Sequence, residues 1–272
     1  MFETMMKNVK VENPLIHCIT NYVTVNDCAN ILLAANASPI MADDEMEVEE
    51  VTSICNGLNI NIGTLNQRTI KSMIKAGKKA NELNHPVSLD PVGMGVSQLR
   101  TNCVYELLDQ LHFSVIKGNV SEIKAIYEGH GLARGVDANE QIDQNNLDDL
   151  IILAKQMAKR YESIIVITGK IDIVANEKKA YLIYNGHSLM SKVTGTGCML
   201  SALINAYLSA NSHSPLEAVM CAVCLMGYCG EKAYDQIKQE NKGTSSYKTY
   251  LIDAISLVDS KELIQGAKYE IR

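Results

Sequence analysis

Residues 191–203 read SKVTGTGCMLSAL, a small-residue turn that runs into an apolar helical pattern with Cys198 at the change. Gly195, Thr196 and Gly197 let the backbone turn sharply and gather unpaired N–H groups at one point, and a helix beginning near Cys198 adds the positive end of its dipole. Such a point holds an anion. The spacing is neither the Gly-x4-Gly-Lys-Ser/Thr phosphate loop nor the Gly-x-Gly-x-x-Gly dinucleotide fingerprint. An ordinary strand-to-helix turn would read the same, so its weight comes from the residues around it.

Several apolar runs end in residues with chemistry of their own. Residues 87–89 end in Asp90-Pro-Val-Gly93, residues 113–116 in Lys117-Gly-Asn119, and residues 164–167 in Thr168-Gly-Lys170. Glu122, in Asn119-x-x-Glu122, has two readings. It is the early carboxylate of a helix-capping pair, or, with Asp90, the second carboxylate of a hydrated Mg²⁺ site carrying nucleotide phosphates. Lys117 serves equally as an ion-pair partner or a phosphate contact, and Thr168 either ends a strand or touches a nucleotide phosphate or ribose. Between residues 13 and 30, Asn21, Thr24, Asn26 and Asn30 crowd side-chain amides and hydroxyls after an apolar run. Caps and Asx turns account for one or two of the four. Met41 ends a further run and offers a soft wall for a small ring. His17 lies inside a strand pattern and reads as a satisfied core histidine.

These positions need a scaffold that brings them to one edge. Strand-like runs at 15–19, 39–41, 58–62, 87–89, 113–116 and 164–167 alternate with helical periodicity at 69–83, 103–111, 147–161 and 199–208. That alternation predicts an α/β fold, a mostly parallel sheet covered by helices on both faces, with ligands beyond the carboxyl ends of the strands. Residues 173–175 and 180–184 form an antiparallel hairpin pattern, and 129–146 and 239–248 read as surface loops. The 272 residues fit one domain spanning 1–272. Charged residues make up 21% and the net charge is −6, which argues against a nucleic-acid partner. The segment MFETMMKNVKVENP lacks an apolar signal core and the longest apolar run, 218–230, is too short for a bilayer, so a cytoplasmic protein without membrane contact is expected. Of eight cysteines, Cys221 and Cys224 sit mid-run and read as buried helix rather than a metal or redox pair. Cys198 stands apart at the glycine turn.

In order and spacing, NPLIHCITNYV at 13–23, DPVG at 90–93, KGNxxE at 117–122 and VTGTGC at 193–198 resemble the hydroxyethylthiazole kinases of the ribokinase-like superfamily. The resemblance implies a single-domain three-layer sandwich and a homotrimer. It also implies transfer of the γ-phosphoryl of ATP to the hydroxyl of 4-methyl-5-(2-hydroxyethyl)thiazole, a thiamine-salvage step that uses Mg²⁺. On this basis Gly195, Thr196, Gly197 and Cys198 are catalytic, and Cys198 stands where sugar and pyridoxal kinases usually carry Asp. Met41, Gly195, Asn21, Val23 and Asn26 hold the thiazole, Lys117 and Thr168 hold ATP, and Asp90 and Glu122 hold the metal. Many members have Arg at the position of Lys117. The alternatives are a related small-alcohol kinase, an ATP/ADP-dependent NAD(P)H-hydrate dehydratase, a nucleotide sensor without turnover, or a cysteine hydrolase with His17 or His187 as base.

Overall fold

Residues 164–167, Ile-Ile-Val-Ile, are apolar at every position because both faces of their strand are covered: Ile164 and Val166 join one core, Ile165 and Ile167 the other. The computed structural model describes residues 1–129 and 146–272. Along the chain run α1 (Phe2–Glu12), β1 (Leu15–Ile19), α2 (Val25–Ala34), β2 (Ser38–Met41), α3 (Val48–Ile54), β3 (Gly57–Asn61), α4 (Gln67–Glu82) and β4 (Val87–Asp90). Then come α5 (Gln98–Gln110), β5 (Val115–Asn119), α6 (Val120–Glu128), α7 (Leu147–Tyr161), β6 (Ile164–Thr168), β7 (Asp172–Ala175) and β8 (Ala180–Ile183). The chain closes with α8 (Thr196–Ser209), α9 (Pro215–Glu240), α10 (Thr244–Leu257), α11 (Ser260–Gly266) and β9 (Tyr269–Ile271).

The strands join one sheet in the order β2-β1-β3-β4-β5-β6-β7-β8-β9. Pairing is parallel from β2 to β6 and antiparallel from β6 to β9. One core packs α1, α2, α8, α9, α10 and α11 on one face, and the second packs α3 to α7 on the other, which gives three layers. Pro39 is tolerated because β2 is an edge strand. No helix among the described residues is long and apolar enough to cross a membrane.

Several sequence expectations shift. Strand β5 lies two residues later than the 113–116 pattern, because Lys117 and Gly118 continue the ladder opposite Val166 and Ile167 of β6. Helix α8 starts at Thr196, not at Met199. Residues 239–248 are not one surface loop. They hold the end of α9, a short link in which Asn241 takes the left-handed conformation (φ 52), and the first turn of α10. Their polar side chains face solvent while Tyr247 is fully buried, so composition alone resembled a loop. Helices α1 and α2 add to the expected helices and bury Phe2, Met5 and Val9, and Cys28, Ile31 and Leu32, at helical spacing; strand β9, at three residues, is too short to show an alternation. Of the expected loop at 129–146, residues 130–145 lie outside the described residues.

Candidate active site

Strands β1 to β6 all end at one edge, and the first turn of α8 meets them there. Gly195 precedes α8 with φ 95, and a Cβ there would lie 2.9 Å from Thr24 Cγ2. Glycine is therefore required both by conformation and by space. No side chain caps the α8 N-terminus, so the N–H groups of that turn are not consumed by a cap. Thr196 Oγ1 instead donates to the Met190 carbonyl at 3.1 Å.

Cys198, in the first turn of α8, is partly exposed, whereas the other seven cysteines are buried. Its Sγ accepts from Asn21 Nδ2 at 3.2 Å and from Asn61 Nδ2 at 3.3 Å. Asn61 Nδ2 also donates to Asp90 Oδ2 at 2.8 Å, while its Oδ1 accepts from Asn21 Nδ2 and Gly63 N, each at 2.9 Å. The amide orientation is thereby fixed by the network. Asn21 Oδ1 in turn accepts from the Thr24 N–H and hydroxyl.

Lys117 Nζ lies 2.9 Å from Asp90 Oδ1 and donates to the Gly197 carbonyl at 3.1 Å, tying β4 and β5 to the turn. Burial opposes the charge on Lys117, but Asp90, Glu122 and Cys198 outweigh it and hold its pKa above the ordinary lysine value. Lys117 therefore remains the cation of the pair. Burial pushes the Asp90 carboxyl up, opposed by Lys117 and Asn61. Glu122 is also pushed up, first by burial and then by the charge of Asp90. Its Oε1 accepts from Gly93 N at 2.9 Å and its Oε2 from Asn119 N at 2.8 Å. Thr168, opposite Asn119 in the β5–β6 register, donates to the Gly118 carbonyl at 3.4 Å.

Asp90 and Glu122 supply hard carboxylate oxygens suited to a divalent cation, but those oxygens already accept protein hydrogen bonds. Among the described residues no group of three or more His, Cys, Asp or Glu side chains forms a metal cage. The donor set fits a cation that keeps its waters and takes further oxygens from a phosphate ligand.

Beside the cysteine, a cavity of about 210 Å³ is lined by Met41, Met73, Cys18, Thr20, Tyr22 and Asn61, among others. Asn61 joins this cavity to Cys198.

Residues 6–261 match the model of the hydroxyethylthiazole kinase family. The chain belongs to the hydroxyethylthiazole kinase family. It is 57% identical to the hydroxyethylthiazole kinase of Clostridium acetobutylicum over 272 residues, 99% of each chain. The solved hydroxyethylthiazole kinase of Pyrococcus horikoshii is 34% identical and superposes with a TM-score of 0.89, covering 100% of this chain and 98% of that one. An ADP/ATP-dependent NAD(P)H-hydrate dehydratase of Bacillus subtilis, 14% identical, superposes with a TM-score of 0.59 over 90% of each chain and shares the fold alone.

In this family member the structure brings Gly195, Thr196, Gly197, Cys198, Asn21, Asp90, Lys117 and Glu122 to one sheet edge, with Met41 on the adjoining cavity wall. Of the residues expected to hold the thiazole, Met41 lines that cavity and Asn21, Val23, Asn26 and Gly195 do not. Val23 is 56% exposed, and Asn26 Oδ1 accepts from Asn30 Nδ2 on the outer side of α2; Val25 lines the cavity instead. His17 is a core histidine, with its ring nitrogens on Thr52 Oγ1 and the Ala42 carbonyl. His187 stacks on Tyr234. Neither histidine accompanies Cys198, which leaves the hydrolase reading without a base.

Asn61 is a site residue beyond those expected from the sequence. Its signal was there in LNINIG, where Asn59 and Asn61 share one face of an otherwise apolar strand. Arg100 is another. Its guanidinium donates to the carbonyls of Ile62, Gly63 and Val92, fixing the loops that follow β3 and β4.

Proposed function

We propose that the chain transfers the γ-phosphoryl group of ATP to the hydroxyl of 4-methyl-5-(2-hydroxyethyl)thiazole, a step of thiamine salvage. The observation that carries this reading is the meeting, through Asn61, of a small cavity, the Cys198 sulfur and the uncapped first turn of α8. Phosphoryl transfer needs alignment and charge stabilisation more than covalent chemistry. The N–H groups of Gly195, Thr196, Gly197 and Cys198 receive the transferred phosphoryl as an anion, and Lys117 and Thr168 contact ATP. The alcohol oxygen bonds to the γ-phosphorus as the bridge to the β-phosphate breaks, ADP leaves, and the alcohol proton passes to Cys198 Sγ, which acts as a thiolate and becomes the thiol. Met41, Gly195 and Asn21 hold the ring, with Val23 and Asn26 in the flanking segment. Asp90 and Glu122 would hold Mg²⁺, which would supply charge neutralisation of the triphosphate. The protein works in the cytoplasm as a homotrimer, without nucleic acid or membrane; exposed Tyr22 and Val23 beside the cavity support a surface covered by another subunit.

A coupled ADP-release assay over a panel of alcohols tests the reading. Release that depends on the thiazole alcohol is expected. Release independent of it, or a sugar, pyridoxal or hydrated nicotinamide preferred by about tenfold in kcat/KM, would sink the assignment.

A further inference from the structure

Helix α10 brings a lysine to the far side of the glycine turn. Lys248 Nζ lies 3.0 Å from Asp27 Oδ1 and 3.1 Å from its Oδ2, a contact between residues 221 apart in sequence. Asp27, on α2, is only 8% exposed. Its Oδ2 lies 3.3 Å from where a Cβ on Gly195 would stand, so this carboxylate is packed directly against the turn. On the Gly197 side the cation Lys117 is balanced by Asp90. On the Gly195 side the order is reversed: the group against the backbone is the anion, and the balancing cation comes from α10.

A bare carboxylate at this distance opposes any anion gathered by the N–H groups of the turn, and burial leaves little water to screen it. We propose that Lys248 masks Asp27, so that the turn at 195–198 presents its donors to a phosphoryl group without a competing negative charge. Lys248 is thus a positioning residue that acts through Asp27. The inference rests on the reading of residues 195–198 as the phosphoryl site. It gives α10 a part in the reaction, although the helix supplies no group to the cavity described above.

The test is steady-state kinetics of Lys248→Met, Lys248→Arg and the double variant Asp27→Asn/Lys248→Met, with melting curves as the folding check. Lys248→Met should lose about tenfold in kcat/KM for ATP while KM for the thiazole alcohol stays within about twofold. Lys248→Arg keeps the charge and should retain the wild-type value within about twofold. The double variant should recover to within about threefold, because the charge that needed masking is gone. An unchanged Lys248→Met variant overturns the inference. So does a double variant as impaired as the single one, since that marks Lys248 as a strut docking α10. Gly195→Ala separates this claim from the one beneath it: activity lost there but intact in Lys248→Met removes only the masking role, whereas an intact Gly195→Ala removes the phosphoryl site itself.

Discussion

Helices α6 and α8 begin at the same edge of the sheet, yet their first turns are finished in opposite ways. In α6 the Asn119 side chain accepts from Glu122 N at 2.9 Å while Glu122 reaches back to Asn119 N, a reciprocal capping box. In α8 the preceding residue is glycine, and no side chain caps the end. The closed end stabilises its helix; the open end leaves donors for a ligand. The difference is written in the residue before each helix, Asn119 or Gly195. Further along, α8 is tied to β3 through Ser201 Oγ on Asn59 Oδ1 at 2.9 Å and Asn205 Nδ2 on the Leu58 carbonyl at 2.9 Å. Its body is therefore anchored by polar contacts on the same face as Cys198, and the exposed end does not depend on a cap for its position.

The contrast breaks most sharply at Gly195. Gly195→Ala forces a left-handed residue to carry a Cβ and pushes it against Thr24, which displaces the turn. A loss of about 100-fold in kcat/KM for ATP is expected, with thermal melting to show that the fold persists. Parity with wild type would mean that the turn tolerates ordinary backbone and is not a tuned anion site.

Glu122→Gln comes next in size. The amide keeps the size of the side chain and one of its two backbone contacts, since its NH2 cannot accept as the second oxygen does, and it loses the charge, so the Mg²⁺ concentration for half-maximal rate should rise severalfold, on the order of 3- to 10-fold. A magnesium titration that overlays wild type would leave Glu122 with its capping role alone.

The smallest effect belongs to Asn119→Ala. It removes the donor-satisfying amide from the closed end and should lower stability by about 1 kcal/mol in denaturant unfolding, with kcat within about twofold of wild type. A large fall in kcat with unchanged stability would erase the distinction between the two helix ends.

The sequence disclosed the parts of this arrangement that depend on continuous burial or local caps. Strands such as β6, covered on both faces, are apolar throughout, and α7 has an unbroken helical period over its full length. The Asn119–Glu122 pair announced α6, and the strand-end residues Asp90, Lys117 and Thr168 fell on one edge as an open parallel sheet requires. Long-range partners left no such trace. That Asn61 would lie between Asp90 and Cys198 depends on the register of β3 with β4 and on where α8 crosses, and neither is a local property. Helix α10 does carry a helical period, Tyr247, Leu251, Ala254 and Ile255 being buried on one face, but its polar first turn, Thr244 to Lys248, has the composition of a loop. The choice between capping and metal binding at Glu122 also lay beyond sequence, because both uses place the same carboxylate in the first turn of a helix.

Cys198, at the open end of α8, is proposed to take the proton of the alcohol during phosphoryl transfer. Steady-state kinetics of Cys198→Ser with ATP and the thiazole alcohol tests it most directly. Asn21 and Asn61 can donate to a serine oxygen as they do to sulfur, and the backbone donors of the turn are unchanged, so binding should survive the substitution. With the proton acceptor gone, kcat should fall by about 100-fold while KM for ATP stays within about threefold. A kcat equal to that of wild type would contradict it.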